Sequence, residues 1–185
     1  MNTNPEGSAK TTAKKYVITG GPAIGKTEVV KELRARGHKT STREIARDIY
    51  HEFRTALGHH LTVNERQPYS ATVLKEKVRE YALHMAVDFF FDRGIPDGIG
   101  WDWFFGLEPP IDLLDAVATY RYDRVFILDP LHKYEQEDDE VWAKEREAQR
   151  VHQLIIQGYV DSGYEPIFVP LMPVDRRVDF ILQNV

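Results

Sequence analysis

The run from Gly20 to Thr27, GGPAIGKT, fits the pattern G-x-x-x-x-G-K-[ST], with Gly20, Gly25, Lys26 and Thr27 at the fixed positions and Gly21, Pro22, Ala23 and Ile24 between them. Each residue type answers a need of polyphosphate binding. Glycine lets the backbone turn its N–H groups inward around an anion, and a following helix adds the positive end of its dipole. Lys26 supplies a mobile charge, and Thr27 a hydroxyl for Mg²⁺. The ligand this points to is a magnesium-bound nucleoside triphosphate, ATP or GTP. No base-reading motif such as N-K-x-D decides between them.

A second group follows the apolar run VDFFF: Asp92, then Arg93. A carboxylate at the end of a strand can orient Mg²⁺ or take the proton from an attacking hydroxyl, and an adjacent guanidinium can balance phosphate charge. The alternative is a turn aspartate that caps the next helix. GWDWFF, with Trp101 in it, is either a stacking surface for a planar acceptor or part of the core. His51, His59 and His60 lack a carboxylate at diagnostic metal-binding spacing. With no cysteine and no G-x-S-x-G elbow, thiolate zinc sites and the hydrolase chemistries built on those nucleophiles are excluded.

The elements that must position these residues alternate. KYVIT reads as a buried strand and KTEVVKELRARG as a helix ended by Gly37. HKTST reads as a short strand, and REIARDIYHEFRTALG as a helix with Ile45, Ile49 and Phe53 every four residues. HHLTVNERQPYS has no clear period, and a helix is expected only from Ser70 onward, leading into VDFFF. The glycine- and proline-punctuated DRGIPDGIGWDWFFGLEPP reads as irregular. Then come a helix over IDLLDAVATY, a strand RVFILD, an acidic loop LHKYEQEDDEVW, a helix through AKEREAQRVHQLIIQGYVDSG, a strand EPIFVP and a last helix DRRVDFILQN. About five strands alternating with helices predict an α/β three-layer sandwich with a mostly parallel sheet.

At 185 residues, 42% of them hydrophobic, the chain has material for one packed domain, expected over 15–185 behind a polar flexible leader, 1–14. A formal net charge of -5 gives no global field for a nucleic-acid backbone, and no apolar run approaches the length of a membrane span. A cytoplasmic enzyme is the expectation. Oligomeric state is not legible.

Five segments in order, ITGGPAIGKT, REIAR, FFFDRGIPD, YDRVFILDPLHKYEQ and GYEPIFVPLMPVDRRVDFIL, resemble AAA-type ATPase domains that group with nucleoside-kinase-like P-loop proteins, including nicotinamide riboside kinase-like domains. The resemblance runs from about Tyr16 to the C-terminus. It implies a P-loop NTPase core with Lys26 and Thr27 at phosphate and Mg²⁺ and Asp92 as the catalytic or metal-orienting carboxylate. It also matches Glu44 and Arg47 to an E-x-x-R that looks toward the acceptor; a Glu–Arg pair near a helix start can hold hydroxyls or an anion, and the same spacing suits a surface pair. The family's lid usually carries an arginine where this chain has Trp142, so Arg146 and Arg150 are the candidates for that charge, beside the bland reading of a solvated helical face.

Together these point to a Mg²⁺-dependent phosphotransferase with ATP or GTP as donor and a small hydroxyl-bearing acceptor such as a nucleoside. Lys26, Asp92 and Arg93 would act in the chemistry, and Glu44, Arg47, Asp92 and Trp101 would hold the acceptor. The alternative is a nucleotide-binding regulator or slow NTPase, in which bound triphosphate orders the acidic segment near Asp138.

Overall fold

The computed structural model describes residues 13–130 and 145–185, so Trp142, Asp138 and most of the leader lie outside the described residues. Its elements are β1 (Lys15–Thr19), α1 (Lys26–Ala35), α2 (Ile45–Leu57), α3 (Val63–Leu83), β2 (Phe89–Asp92), α4 (Asp97–Phe104), α5 (Ile111–Thr119), β3 (Arg124–Leu128), α6 (Glu145–Asp161), β4 (Ile167–Val169) and α7 (Val174–Gln183).

Among the described residues the sheet has four strands in the order β2-β1-β3-β4, all parallel, not the five expected. The missing strand is HKTST, reduced to one parallel bridge between Thr40 and Phe90. Its side chains explain the reduction: the Ser41 hydroxyl turns to accept the Asp92 amide at 2.9 Å, and Thr40 accepts a hydrogen bond from Arg34 Nε at 3.0 Å. Side-chain bonds of this kind compete with a regular ladder.

Alternation along the strands sends side chains to both faces, and both are covered. Tyr16, Ile18, Phe126 and Leu128 pack with Val29 and Leu33 of α1 and Val178 and Ile181 of α7. Val17, Phe91, Val125 and Ile127 pack with Val151, Ile155 and Tyr159 of α6. A third cluster joins Ile95 and Ile99 to Leu113 and Val117 of α5. Each such buried aliphatic side chain contributes about 1.5–3 kcal/mol. Three layers result, and the carboxyl ends of β1 and β2 open side by side. Among the described residues no helix is long and apolar enough to cross a membrane.

Two elements differ from the expectation. α3 begins at Val63, seven residues before Ser70, because Thr62 and Glu65 form a capping box, with Glu65 Oε2 accepting the Thr62 amide at 2.7 Å. Its first turns show no apolar period because inward-facing Arg66 is polar yet buried. The glycine-rich stretch expected to be irregular contains helix α4. There Gly100 serves close packing: a Cβ on it would stand 2.7 Å from the backbone nitrogen of Ile155 in α6.

Candidate active site

The loop after β1 closes around its own backbone. Gly20 adopts φ 129° and Gly25 φ 83°, and Ala23 also takes a left-handed conformation at φ 53°. Gly20 is required twice over, since a Cβ there would lie 2.4 Å from Ile24 Cδ1. α1 starts at Lys26, so its unpaired amides face the loop. The buried Lys26 ammonium donates to the Gly21 carbonyl at 2.5 Å. Burial, and then the charge of Arg93, lower its pKa to about 8, against the opposing pull of Glu44, Asp92 and Asp97. Thr27, the next residue, is exposed in the first turn of α1.

Beside this loop β2 ends at Asp92, parallel to β1 and paired with Ile18. The chain then reverses through Arg93 at φ 61°, a conformation uncommon outside glycine. What holds the turn is a buried lysine of α3: Lys77 Nζ donates to the carbonyl of Asp92 at 2.6 Å and to that of Arg93 at 2.9 Å. The reversal aims Arg93 back over β1. Its Nε donates to Glu44 Oε1 at 2.8 Å, and its Nη1 to the Gly20 carbonyl at 2.8 Å and Asp97 Oδ1 at 3.2 Å.

Asp97 is fully engaged. Its Oδ1 also accepts from Thr19 Oγ1 at 2.6 Å, and its Oδ2 accepts from the Gly94 amide at 2.9 Å and from Tyr159 OH at 2.6 Å. Asp92 is not: its Oδ1 is buried and has no hydrogen-bond partner among the described residues. Burial, then repulsion from Glu44, raises the Asp92 carboxyl to about 6, although Lys26, Lys77 and Arg93 pull it back. Burial would also raise Glu44, but Arg93 and Lys26 outweigh it and hold Glu44 at about 2. Two neighbouring carboxylates thus have opposite tendencies, one firmly ionised and one poised to gain or lose a proton near neutrality.

The structure brings Lys26, Asp92, Arg93 and Glu44 into one electrostatic cluster, with Arg93 paired to protein carboxylates. Glu44 is the residue before α2, so its side chain leaves the helix axis toward Arg93, and the charge of Arg47 one turn later adds to its stabilisation. Trp101 is half-buried: it stacks on Phe105 at 6.1 Å and carries the Arg93 guanidinium 5.9 Å from its ring. Arg146 and Arg150 are exposed at the start of α6, and Arg150 lies 5.6 Å over the Phe104 ring. Among the described contacts none joins either to the phosphate loop. Of the histidines, His60 meets Tyr50 OH at 2.8 Å and His59 faces Glu65 at 3.6 Å.

Sequence reasoning missed three side chains that build the site from afar. Lys77 is described above. His152 of α6 accepts the Gly21 amide at Nδ1, 3.0 Å away, and burial followed by the Lys26 charge lowers its pKa to about 4, which keeps the ring neutral. Arg177 of α7 donates to the carbonyls of Ile24 at 2.9 Å and Asp129 at 3.1 Å. No local spacing flags them. The one available signal is a charged or imidazole side chain on an otherwise apolar helix face, as with His152 between Val151 and Ile155.

A family model described as an AAA domain matches residues 15–177. No curated protein matches the sequence significantly. Among solved structures the chain is similar to NadR protein in complex with NAD and AMP-PNP, with a TM-score of 0.66, 14% identity, and 93% of this chain and 49% of that chain covered. It is similar to a thymidylate kinase from Candida albicans, with a TM-score of 0.65, 13% identity and coverage of 94% and 91%. It is similar also to a deoxyadenosine kinase from M. mycoides with dCMP and dCDP bound, with a TM-score of 0.64, 13% identity and coverage of 92% and 97%. The chain spans about half the length of the NadR chains it matches. At these identities the likeness is one of fold.

Proposed function

We propose, from the premise that this chain belongs to the AAA domain family, that it is a P-loop phosphotransferase moving the terminal phosphoryl group of ATP or GTP to a small hydroxyl-bearing metabolite such as a nucleoside. The observation that carries this reading is the buried Asp92 Oδ1, without a hydrogen-bond partner among the described residues, at the end of β2 in the electrostatic reach of Lys26. A buried acceptor atom normally finds a donor. A hydroxyl about to be phosphorylated is such a donor, and a carboxyl raised to about 6 can receive its proton. The similar folds of a thymidylate kinase and a deoxyadenosine kinase support the same class.

In this reading the residues divide the work. Amides of Gly20–Thr27 and the Lys26 ammonium hold the donor phosphates, and Lys26 leaves the Gly21 carbonyl to do so. The acceptor oxygen attacks the terminal phosphorus as the bond to the β-phosphate oxygen breaks, and its proton passes to Asp92. Arg93 is committed to Glu44 and Asp97 and Lys77 to two carbonyls, so these cations brace the turn, which favours a neutral hydroxyl over a phosphate as the entering group. Glu44, Arg47 and Trp101 line the acceptor side.

Thr27 and Asp92 would offer only oxygen ligands, which suits a hard cation, and Asp92 Oδ1, without a hydrogen-bond partner among the described residues, would have a lone pair for it or its water shell. When bound with nucleotide, Mg²⁺ supplies neutralisation of developing phosphate charge.

A slow NTPase or nucleotide-binding regulator is the second reading. It draws on Arg146 and Arg150, exposed and outside any contact with the phosphate loop among the described residues. One assay separates the two: γ-labelled ATP or GTP with Mg²⁺ and a panel of nucleosides and small alcohols. Label on an acceptor supports the transferase. Label found only as free phosphate, with every acceptor unmarked, sinks it.

A further inference from the structure

The facing surfaces of α3 and α4 carry two polar side chains that the reaction described above does not use. Arg66 is 3% exposed, and its guanidinium lies 3.5 Å over the Phe105 ring, with no hydrogen bond or ion pair among the described residues. Asp102 is also 3% exposed. Its Oδ1 accepts from Ser70 Oγ at 3.3 Å, while its Oδ2 is buried and has no hydrogen-bond partner among the described residues. The pairs are successive rungs of one ladder, because Arg66 and Ser70 are one turn apart on α3 and Asp102 of α4 lies three residues before Phe105, the residue that caps that helix. Trp101 links the ladder to the reaction centre: it stacks on Phe105 and stands 5.9 Å from the guanidinium of Arg93, the neighbour of Asp92.

We infer that Arg66 and Asp102 form a recognition site for the ring end of the acceptor, a neutral heterocycle that offers a hydrogen-bond acceptor to the guanidinium and an N–H donor to the carboxyl, as a nucleobase does. The inference rests on the phosphotransferase reading for its direction but is a binding claim in its own right. An unpartnered buried carboxylate oxygen and a buried guanidinium without a polar partner each carry a desolvation cost that a ligand with complementary groups removes. One acid and one base on successive rungs sum to no net charge, so the two together favour a neutral partner over an anion. Burial raises the Asp102 carboxyl to about 6, so near neutrality Oδ2 can accept from an amino group or donate to a ring nitrogen. Arg66 would otherwise pass for a surface charge on a polar helix turn.

The test is calorimetric titration of the full chain with adenosine, guanosine, cytidine, uridine and thymidine, with ribose as the control lacking a base, and with ATP as a separate arm. At least one nucleoside is expected to bind and ribose not to. Asp102→Asn and Arg66→Gln should each weaken that nucleoside roughly tenfold or more while leaving ATP affinity within about twofold. Asp102→Asn keeps the side-chain shape, so it decides alone if Arg66→Gln fails to fold by circular dichroism. Absence of nucleoside binding, or wild-type affinity in folded Asp102→Asn, overturns the inference. Nucleosides that bind with the expected variant losses but never receive label leave the site standing and remove the transferase reading.

Discussion

The amide of Gly21, inside the phosphate loop, donates to Nδ1 of His152, 131 residues later in the chain. A glycine amide in such a loop is a natural anion donor, and here an imidazole on α6 fixes its direction. Replacement of His152 by alanine should cost about 1–3 kcal/mol of stability and weaken nucleotide binding, whereas His152→Asn, which keeps an acceptor, should retain most of both. Chemical denaturation and ATP titration of the two variants check this.

The same histidine gives a pH dependence of known sign. Its pKa in the folded chain is lowered to about 4 from 6.5, so the unfolded chain binds the proton first on acidification. Its contribution to stability is complete above pH 6.5 and declines as the pH falls toward 4. His152→Asn should flatten that part of the stability profile, measured as the denaturation midpoint from pH 7 to pH 4.

Lys26 titrates in the opposite quarter. Its pKa near 8 without nucleotide, below the usual 10.5, rises again when phosphates surround it, so ATP binding takes up a proton above pH 8. Affinity should fall about fivefold between pH 8 and pH 9, and calorimetry in buffers of different ionisation heat should report the uptake. Lys26→Ala should abolish binding. A flat affinity from pH 7 to 9 would show that no ammonium meets the phosphates.

Asp92→Asn is expected to leave ATP affinity close to wild type and to lower turnover by roughly 10²–10⁴-fold. Because burial and Glu44 hold the Asp92 carboxyl up, its ionised form destabilises the fold above pH 6, so the amide should melt higher than wild type at pH 7 and not at pH 4. A variant that is both more stable and inactive marks a group retained for chemistry.

Gly100→Ala probes the seam between α4 and α6. The added Cβ would meet the Ile155 nitrogen at 2.7 Å, and a backbone atom cannot swing aside. A loss of about 1–3 kcal/mol is expected from that clash, whereas Gly37→Ala, with nothing within 4 Å but a φ of 92°, should lose about 1–2 kcal/mol from backbone strain alone. Urea midpoints of the two proteins distinguish close packing from turn strain.

What the sequence discloses here depends on how local the cause is. The phosphate loop is legible because its demands fall on eight adjacent residues, Gly20 to Thr27, between a strand and a helix. β2 is legible because a strand buried on both faces must be continuously apolar, even though it stands at the edge of the four-stranded sheet with only the Thr40 bridge beyond it among the described residues. The start of α3 is hidden because the residues it turns inward, Arg66 and Ser70, break the apolar period, and α4 because a glycine that serves packing looks like one that ends a helix. His152, Lys77 and Arg177 reach the site from helices that only the tertiary fold brings near. Asp97 stands inside the segment FFFDRGIPD, one turn beyond Arg93, yet its four side-chain hydrogen bonds come from β1, α6 and the turn itself. One of the four, from Arg93, crosses that single turn.

The glycine seam also constrains motion. α6 and α4 meet backbone to backbone at Gly100 and Ile155, and no intervening side chain can act as a cushion. The same α6 that presses on the helix carrying Trp101 and Asp102 also holds His152 against the phosphate loop. In the proposed reaction the donor and acceptor sides would therefore share one support, α6.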